Sequence, residues 1–296
     1  SAVIYQKEEQ LEAVLNSFQQ ELMLLTTYYS QQNTYQLALC HLDIATTYDK
    51  MSKPQLALTS YNKAKDIFQQ LDNCEDCAAH LKKINIQMGY LNCNQAESLY
   101  NEGQLLAARP YYQKGVDAFV QAGHLSYFIQ ATADLLHTYG GGSDYKEGIS
   151  IGEQALKQVL RIGPDALLSG QAKVHHQIGR IHNEAAYPKQ AIQSFEKELT
   201  LLTEAGEPLH SKVFGDVFLS LGLSHMLSDS FQKGIHFFRK AKAIFEDTSH
   251  CQDCEYELQQ VNEKLGIGLV LLGKDQVDKA EIIKARKNLR EGLALL

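Results

Sequence analysis

The sequence predicts an all-α fold, a solenoid of about seven antiparallel helical hairpins running through residues 1–296 as a single domain. Three observations carry this reading. A long block of the chain recurs 177 residues later. Shorter units of about 43 residues repeat one pattern of small and aromatic side chains. No segment shows the period-two alternation with Gly/Asn turns that a sheet would need. Length alone, 296 residues, would allow about two ordinary domains, and the repeats replace that division.

The long repeat holds its register without a gap. Tyr61-Asn62-Lys63-Ala64-Lys65-Asp66-Ile67-Phe68 returns as Phe238-Arg239-Lys240-Ala241-Lys242-Ala243-Ile244-Phe245. Cys74 and Cys77 return as Cys251 and Cys254, and Phe18, Glu21, Leu22, Leu24, Leu25 and Thr26 as Phe195, Glu198, Leu199, Leu201, Leu202 and Thr203.

The shorter units follow in order. A truncated one, 1–30, holds Val14 and Phe18. Unit 34–73 carries Ala45, Tyr48, Ala57, Tyr61 and Ala64, and unit 78–122 carries Ala96, Leu99, Gly103, Ala108, Tyr112 and Gly115. Unit 125–163 has Leu136, Tyr139, Gly148, Gly152 and Ala155; unit 168–206 has Gly179, His182, Ala191, Phe195 and Glu198. Unit 210–248 has Gly222, His225, Gly234, Phe238 and Ala241, and a degenerate unit, 252–296, keeps Gly266, Leu269 and Gly273. Small residues at fixed places let two antiparallel helices approach, while aromatics fill the spaces between neighbouring hairpins. Pro54 and Pro188 fall between the two helices of their units, and Pro164 and Pro208 between units, where proline starts a helix without breaking one. Gly140-Gly141-Gly142-Ser143 lacks the Gly-Lys-Ser/Thr of a phosphate loop and reads as a turn inside its unit.

Composition narrows the function classes. Lys plus Arg is 28 against Asp plus Glu 35, a net charge of -7, which argues against an extended nucleic-acid surface. Apolar residues at 44% and charged residues at 21% exclude intrinsic disorder. The longest apolar stretch, Leu265 to Gly273, is far short of the roughly 20 residues that cross a bilayer, so no membrane association is expected. Six cysteines and no Asn-x-Ser/Thr site point to a reducing, cytoplasmic or nuclear setting. Residue 1 is Ser with no basic-then-apolar leader after it, and the chain is expected to be a piece of a longer one.

Ile178-Gly179, His182, Ala191 and Phe195, with Leu221-Gly222, His225, Gly234, Phe238 and Ala241, resemble the tetratricopeptide repeat superfamily. The form is the extended-period one of kinesin light chains and LGN-type polarity adaptors. The resemblance spans nearly the whole chain, and it implies a right-handed superhelix that binds peptides or partner helices in a concave groove lined by first helices. Carried over, the groove face includes Asp43, Thr46, Asp49 and Lys50, then Tyr90, Asn94, Glu97 and Asn101, then Asp134 and His137, and finally Lys173, Gln177, Arg180 and Asn183. The same residues also suit the solvated polar faces of amphipathic helices. As a groove they would hold an extended, basic peptide by side-chain amides on its backbone, with an acidic residue toward Arg180. Chaperone-binding members of the superfamily use a Lys/Asn carboxylate clamp; the matching positions here, Leu42, Thr46, Cys93, Glu97, His176 and Arg180, do not form one. Expected function is therefore a protein-interaction scaffold or adaptor, with a peptide-sensing regulator that changes superhelical conformation as the alternative.

Chemistry-bearing motifs are sparse. Cys74-Glu75-Asp76-Cys77 and Cys251-Gln252-Asp253-Cys254 have zinc-ligand spacing. Buried cysteines near a helix start, a site completed by another chain or a histidine, and redox chemistry all remain open for them. His175, His176 and His182 lack the His-Glu-x-x-His arrangement, and His182 and His225 occupy repeat places that favour packing. No Gly-x-Ser-x-Gly elbow occurs, so neither an enzyme nor a cofactor is expected. The apolar end Leu293-Ala294-Leu295-Leu296 should cap the solenoid or pack on a second copy of the chain.

Overall fold

The computed structural model describes residues 2–28, 34–72, 74–140, 142–162, 167–247, 251, 253–279 and 281–296. Among them it holds thirteen α-helices and no strand. The chain divides into two compact units, Ser1–Ala131 and Thr132–Leu296.

The first unit begins with one unbroken helix, α1 (Ala2–Tyr28), rather than a hairpin, followed by α2 (Thr34–Lys50), α3 (Pro54–Gln70), α4 (Cys77–Asn101) and α5 (Leu105–Gln121). Helix α6 (Leu125–His137) contains the division. The second unit continues with α7 (Tyr145–Ile162), α8 (Leu168–Glu184), α9 (Pro188–Glu204), α10 (Lys212–Leu227), α11 (Phe231–Phe245), α12 (Glu255–Asp278) and α13 (Ile282–Leu295). Pro54 and Pro188 open α3 and α9, where the missing N–H would be unpaired in any case. Pro164 lies outside the described residues.

Within each hairpin the repeat residues meet as small against large. In α2 and α3, Ala38, Ala45, Ala57 and Ala64 are wholly buried around Tyr61 and Phe68. At Gly179 of α8, an added Cβ would stand 2.7 Å from the Phe195 ring of α9. Gly89 meets Phe119 and Gly222 meets Phe238 in the same way. The ring occupies the volume a side chain would need, which is why the pattern alternates. Helices α12 and α13 approach backbone to backbone, with Gly266 against the Gly292 carbonyl.

Hairpin turns also repeat. The residues after α2, α4, α8 and α10 include Ser52, Gly103, Ala186 and Asp229, all with positive φ between 55° and 76°. In each case the next amide closes back onto the helix: Lys53 to the Tyr48 carbonyl, Gln104 to Leu99, Tyr187 to His182 and Ser230 to His225, at 2.8–2.9 Å. This is the left-handed helix cap that satisfies otherwise unpaired carbonyls. The accepting residues are those marked in the sequence three places after a small one, so in these four units the signature sits on the last turn of the first helix.

Candidate functional site

In the first unit, Asp43, Thr46, Asp49 and Lys50 lie on α2, and Tyr90, Asn94, Glu97 and Asn101 on α4. Two of these eight come together in a cleft of about 460 Å³ where the end of α2 and the start of α3 face α4. Asp49, Ser52 and Pro54 form one wall, and Leu91, Asn94, Gln95 and Ser98 the other. Gln55 Nε2 donates to Gln95 Oε1 at 2.6 Å and fixes the two walls together. Leu91 is buried and supplies an apolar base. The side chains of Asp49, Asn94 and Ser98 make no hydrogen bond among the described residues, so their polar groups are free for a ligand.

The other first-unit positions are placed differently. Thr46 Oγ1 donates to its own helix at the Asp43 carbonyl. Tyr90 is half-buried with its ring edge-on to Phe119 and Tyr127; burial, then the Tyr127 hydroxyl, pushes its phenol up to about 12. Asp43, Lys50, Glu97 and Asn101 are exposed.

In the second unit, Asp134 and His137 lie on α6, and Lys173, Gln177, Arg180 and Asn183 on α8. Arg180 is engaged within the protein. Its Nε donates to Gln177 Oε1 at 3.0 Å, Nη1 pairs with Glu184, and Nη2 reaches the carbonyls of Leu136, His137 and Tyr139 at 3.0, 3.3 and 2.6 Å. The Leu136 and His137 carbonyls belong to the last turn of α6 and that of Tyr139 follows it; Leu136 also accepts the Tyr139 N–H at 3.1 Å. The guanidinium therefore caps α6 from α8, which accounts for an arginine here better than an awaited carboxylate does. Asn183 Nδ2 donates to Ser224 Oγ of α10 at 2.9 Å, and Lys173 is exposed.

A polar cluster that sequence reasoning passed over lies beside these residues. His176 Nδ1 sits 3.0 Å from Glu198 Oε2, and Glu198 is only 3% exposed. Burial pulls the imidazole pKa down, but the hydrogen bond and charge of Glu198 more than offset this and raise it. Burial raises Glu198 as well, against the opposing pull of His176. Asp216 of α10 lies near, also raised by burial, and its carboxylate meets Lys212 at 3.2 Å. Lys212 in turn reaches Glu257 of α12 at 2.8 Å. A chain of charges thus ties four helices together. Glu198 stands where Ala64, Gly115 and Ala241 stand in other units, and His176 where Leu42 and Cys93 do. A carboxylate in a small-residue position was the available signal.

The cysteine motifs occupy helix starts: Cys77 is the first residue of α4 and Cys254 the residue before α12. Cys74 is joined to Cys77 and Cys251 to Cys254, with Cα atoms 5.4 and 5.5 Å apart. Each pair packs into the core of its own unit. Among the described residues no three His, Cys, Asp or Glu side chains group as metal ligands, and no helix is long and apolar enough to cross a membrane. At the C-terminus, Ala285 and Gly292 bury one side of α13, while Ile283, Leu293 and Leu296 are 89%, 66% and 64% exposed.

No family model and no curated protein matches this chain. Solved structures do resemble it. The C-terminal part of a TPR repeat-containing protein from Cytophaga hutchinsonii is 14% identical, covering 97% of this chain and 94% of that one, with a TM-score of 0.46. BtubC from P. vanneervenii is 16% identical over 79% of this chain and 90% of its own, at 0.47. A Rap protein complexed with Competence and Sporulation Factor is 11% identical over 97% and 77%, at 0.49. None of these three reaches a TM-score of 0.5. The chain's own hairpins show a helical-repeat fold, in which a small residue opposes an aromatic ring and a left-handed cap closes the first helix.

Proposed function

We propose that the chain is a protein-interaction scaffold and that the Asp49–Asn94 cleft of the first unit holds an extended basic segment of a partner protein. The observation that carries this reading is the set of unengaged polar groups, a carboxylate, an amide and a hydroxyl, ranged over buried Leu91 in a cleft braced by Gln55 and Gln95. A carboxamide both donates and accepts, so Asn94 fits the N–H and C=O of a peptide backbone without demanding a particular side chain. Asp49 supplies the preference for a cationic residue. Positions on α8 play a different part in this reading: Arg180 and Asn183 hold helices together, and ligand contact belongs to α2 and α4.

Selection from a displayed random-peptide library tests the proposal. Peptides enriched on the wild-type chain should carry Lys or Arg and should lose at least tenfold in affinity on Asp49→Ala/Asn94→Ala. Enrichment of acidic peptides, or equal binding by the double variant, overturns it.

A further inference from the structure

A second cleft in the first unit, of about 400 Å³, opens between α3 and α5 against α4. Its chemistry is unlike that of the Asp49–Asn94 cleft. Helix α3 contributes Leu58 and Lys65, α4 contributes Met88 and Asn92, and α5 contributes Lys114 and Gln121. Lys65 Nζ reaches across to Gln121 Oε1 at 2.6 Å. Lys65 is half-buried, and desolvation lowers its pKa. Lys114 lies over the Tyr111 ring with its ammonium 5.2 Å from the centroid. Neither lysine forms an ion pair among the described residues. The cleft's acid, Asp117, accepts from Gln113 at 2.9 Å.

An ammonium taken partly out of water and met only by a neutral amide oxygen is under-compensated. Lys65 and the exposed Lys114, against the single carboxylate of Asp117, leave the cleft net positive within a chain whose net charge is -7. Lysine binds as a point charge with rotatable donors, which suits a rounded oxyanion better than a planar recognition partner. Asn92 is only 5% exposed, with Nδ2 donating to the Met88 carbonyl at 2.7 Å. Leu58 and Met88 supply apolar surface for a short carbon body. The volume falls in the range of small-molecule sites.

We propose that this cleft binds a small organic anion, an oxyanion group carried on a short apolar body, with Lys65 and Lys114 on the anion and Leu58 and Met88 on the body. Carboxylates and phosphomonoesters share that chemistry. Binding would clamp α3 to α5, and so the hairpin α2–α3 to the hairpin α4–α5.

Calorimetric titration of the full chain at constant ionic strength, with phenyl phosphate, phenylacetate and inorganic phosphate as probes, tests this. The expected result is saturable one-to-one binding of at least one aromatic probe, tighter than inorganic phosphate. Which of phenyl phosphate and phenylacetate binds more tightly identifies the oxyanion. Lys65→Gln/Lys114→Gln should weaken that binding at least tenfold, while Lys65→Arg retains most of it. Unchanged helical circular dichroism establishes that each variant is folded, and Asp49→Ala/Asn94→Ala, in the other cleft, should leave the affinity as it is. Absence of saturable binding by every probe, or equal binding by the folded double-lysine variant, overturns the proposal.

Discussion

A carboxylate at 3% exposure needs a partner, and Glu198 has His176 at 3.0 Å. Without the imidazole, the buried carboxylate would be left uncompensated. Because both pKa values are raised in the folded chain, each group binds its proton more tightly folded than unfolded. That contribution to stability is fully present below the unfolded values, near 4.3 for Glu and 6.5 for His, and is lost as pH rises through the raised folded values. Thermal unfolding followed from pH 6 to pH 9 should therefore show Tm falling, and Glu198→Gln should flatten the slope; an identical slope in the variant contradicts the assignment. Glycine positions make a second statement at this scale. With Phe195 standing 2.7 Å from the place of a Cβ, Gly179→Ala forces the ring aside and should cost about 1–3 kcal/mol in chemical denaturation. Small residues were legible in the sequence because their spacing repeats. The His176–Glu198 pair was not, since its members lie on different helices and only the odd carboxylate at a small-residue place marked it.

At the level of elements, the caps show how a weak sequence signal becomes a fixed geometry. The same closing hydrogen bond forms after α2, α4, α8 and α10, yet only one of the four positive-φ residues is glycine. A β-carbon in that conformation costs roughly 1–2 kcal/mol, so Ala186→Gly should raise stability by a few tenths to about 1 kcal/mol once the greater freedom of unfolded glycine is set against the relief. A loss of stability would mean the turn is held by contacts the cap does not include. Pro54 and Pro188 mark two of these turns in the sequence, but nothing in serine, alanine or aspartate marks Ser52, Ala186 and Asp229, as glycine does Gly103, as the residues that take positive φ. Cysteine pairing belongs to this scale too. Alkylation of the native protein should label no more than the two free thiols, Cys40 and Cys93, with all six cysteines reactive after reduction and unfolding. Labelling of Cys74 or Cys251 before reduction would contradict the disulfides.

Across the molecule, hairpin periodicity is the property most fully legible in advance, because each unit must bury the same face against its neighbour and so keeps the same residues at the same places. Local exceptions trace to the elements that lack a neighbour of the usual kind. Leu24 in α1 is 55% exposed, whereas Leu201, its counterpart in the long repeat, is 3% exposed beside α8 and α10. Sequence equivalence fixed the helix but not what covers it. Candidate groove residues were less legible for a related reason. A polar side chain on a first helix reads the same whether it caps a neighbouring helix, as Arg180 does, or stands free, as Asn94 does, and only the packing of several hairpins separates the two. The proposed peptide-binding face is α2 and α4 of the first unit. An amide-resolved NMR titration of the isotopically labelled chain with a selected basic peptide tests it most directly. Shifts should concentrate at Asp49, Ser52, Asn94 and Ser98, with the Asn94 side-chain amide among the largest, and change little at Arg180 or Asn183. Saturable binding whose shifts fall on α8 and leave the Asp49–Asn94 cleft unperturbed would contradict it.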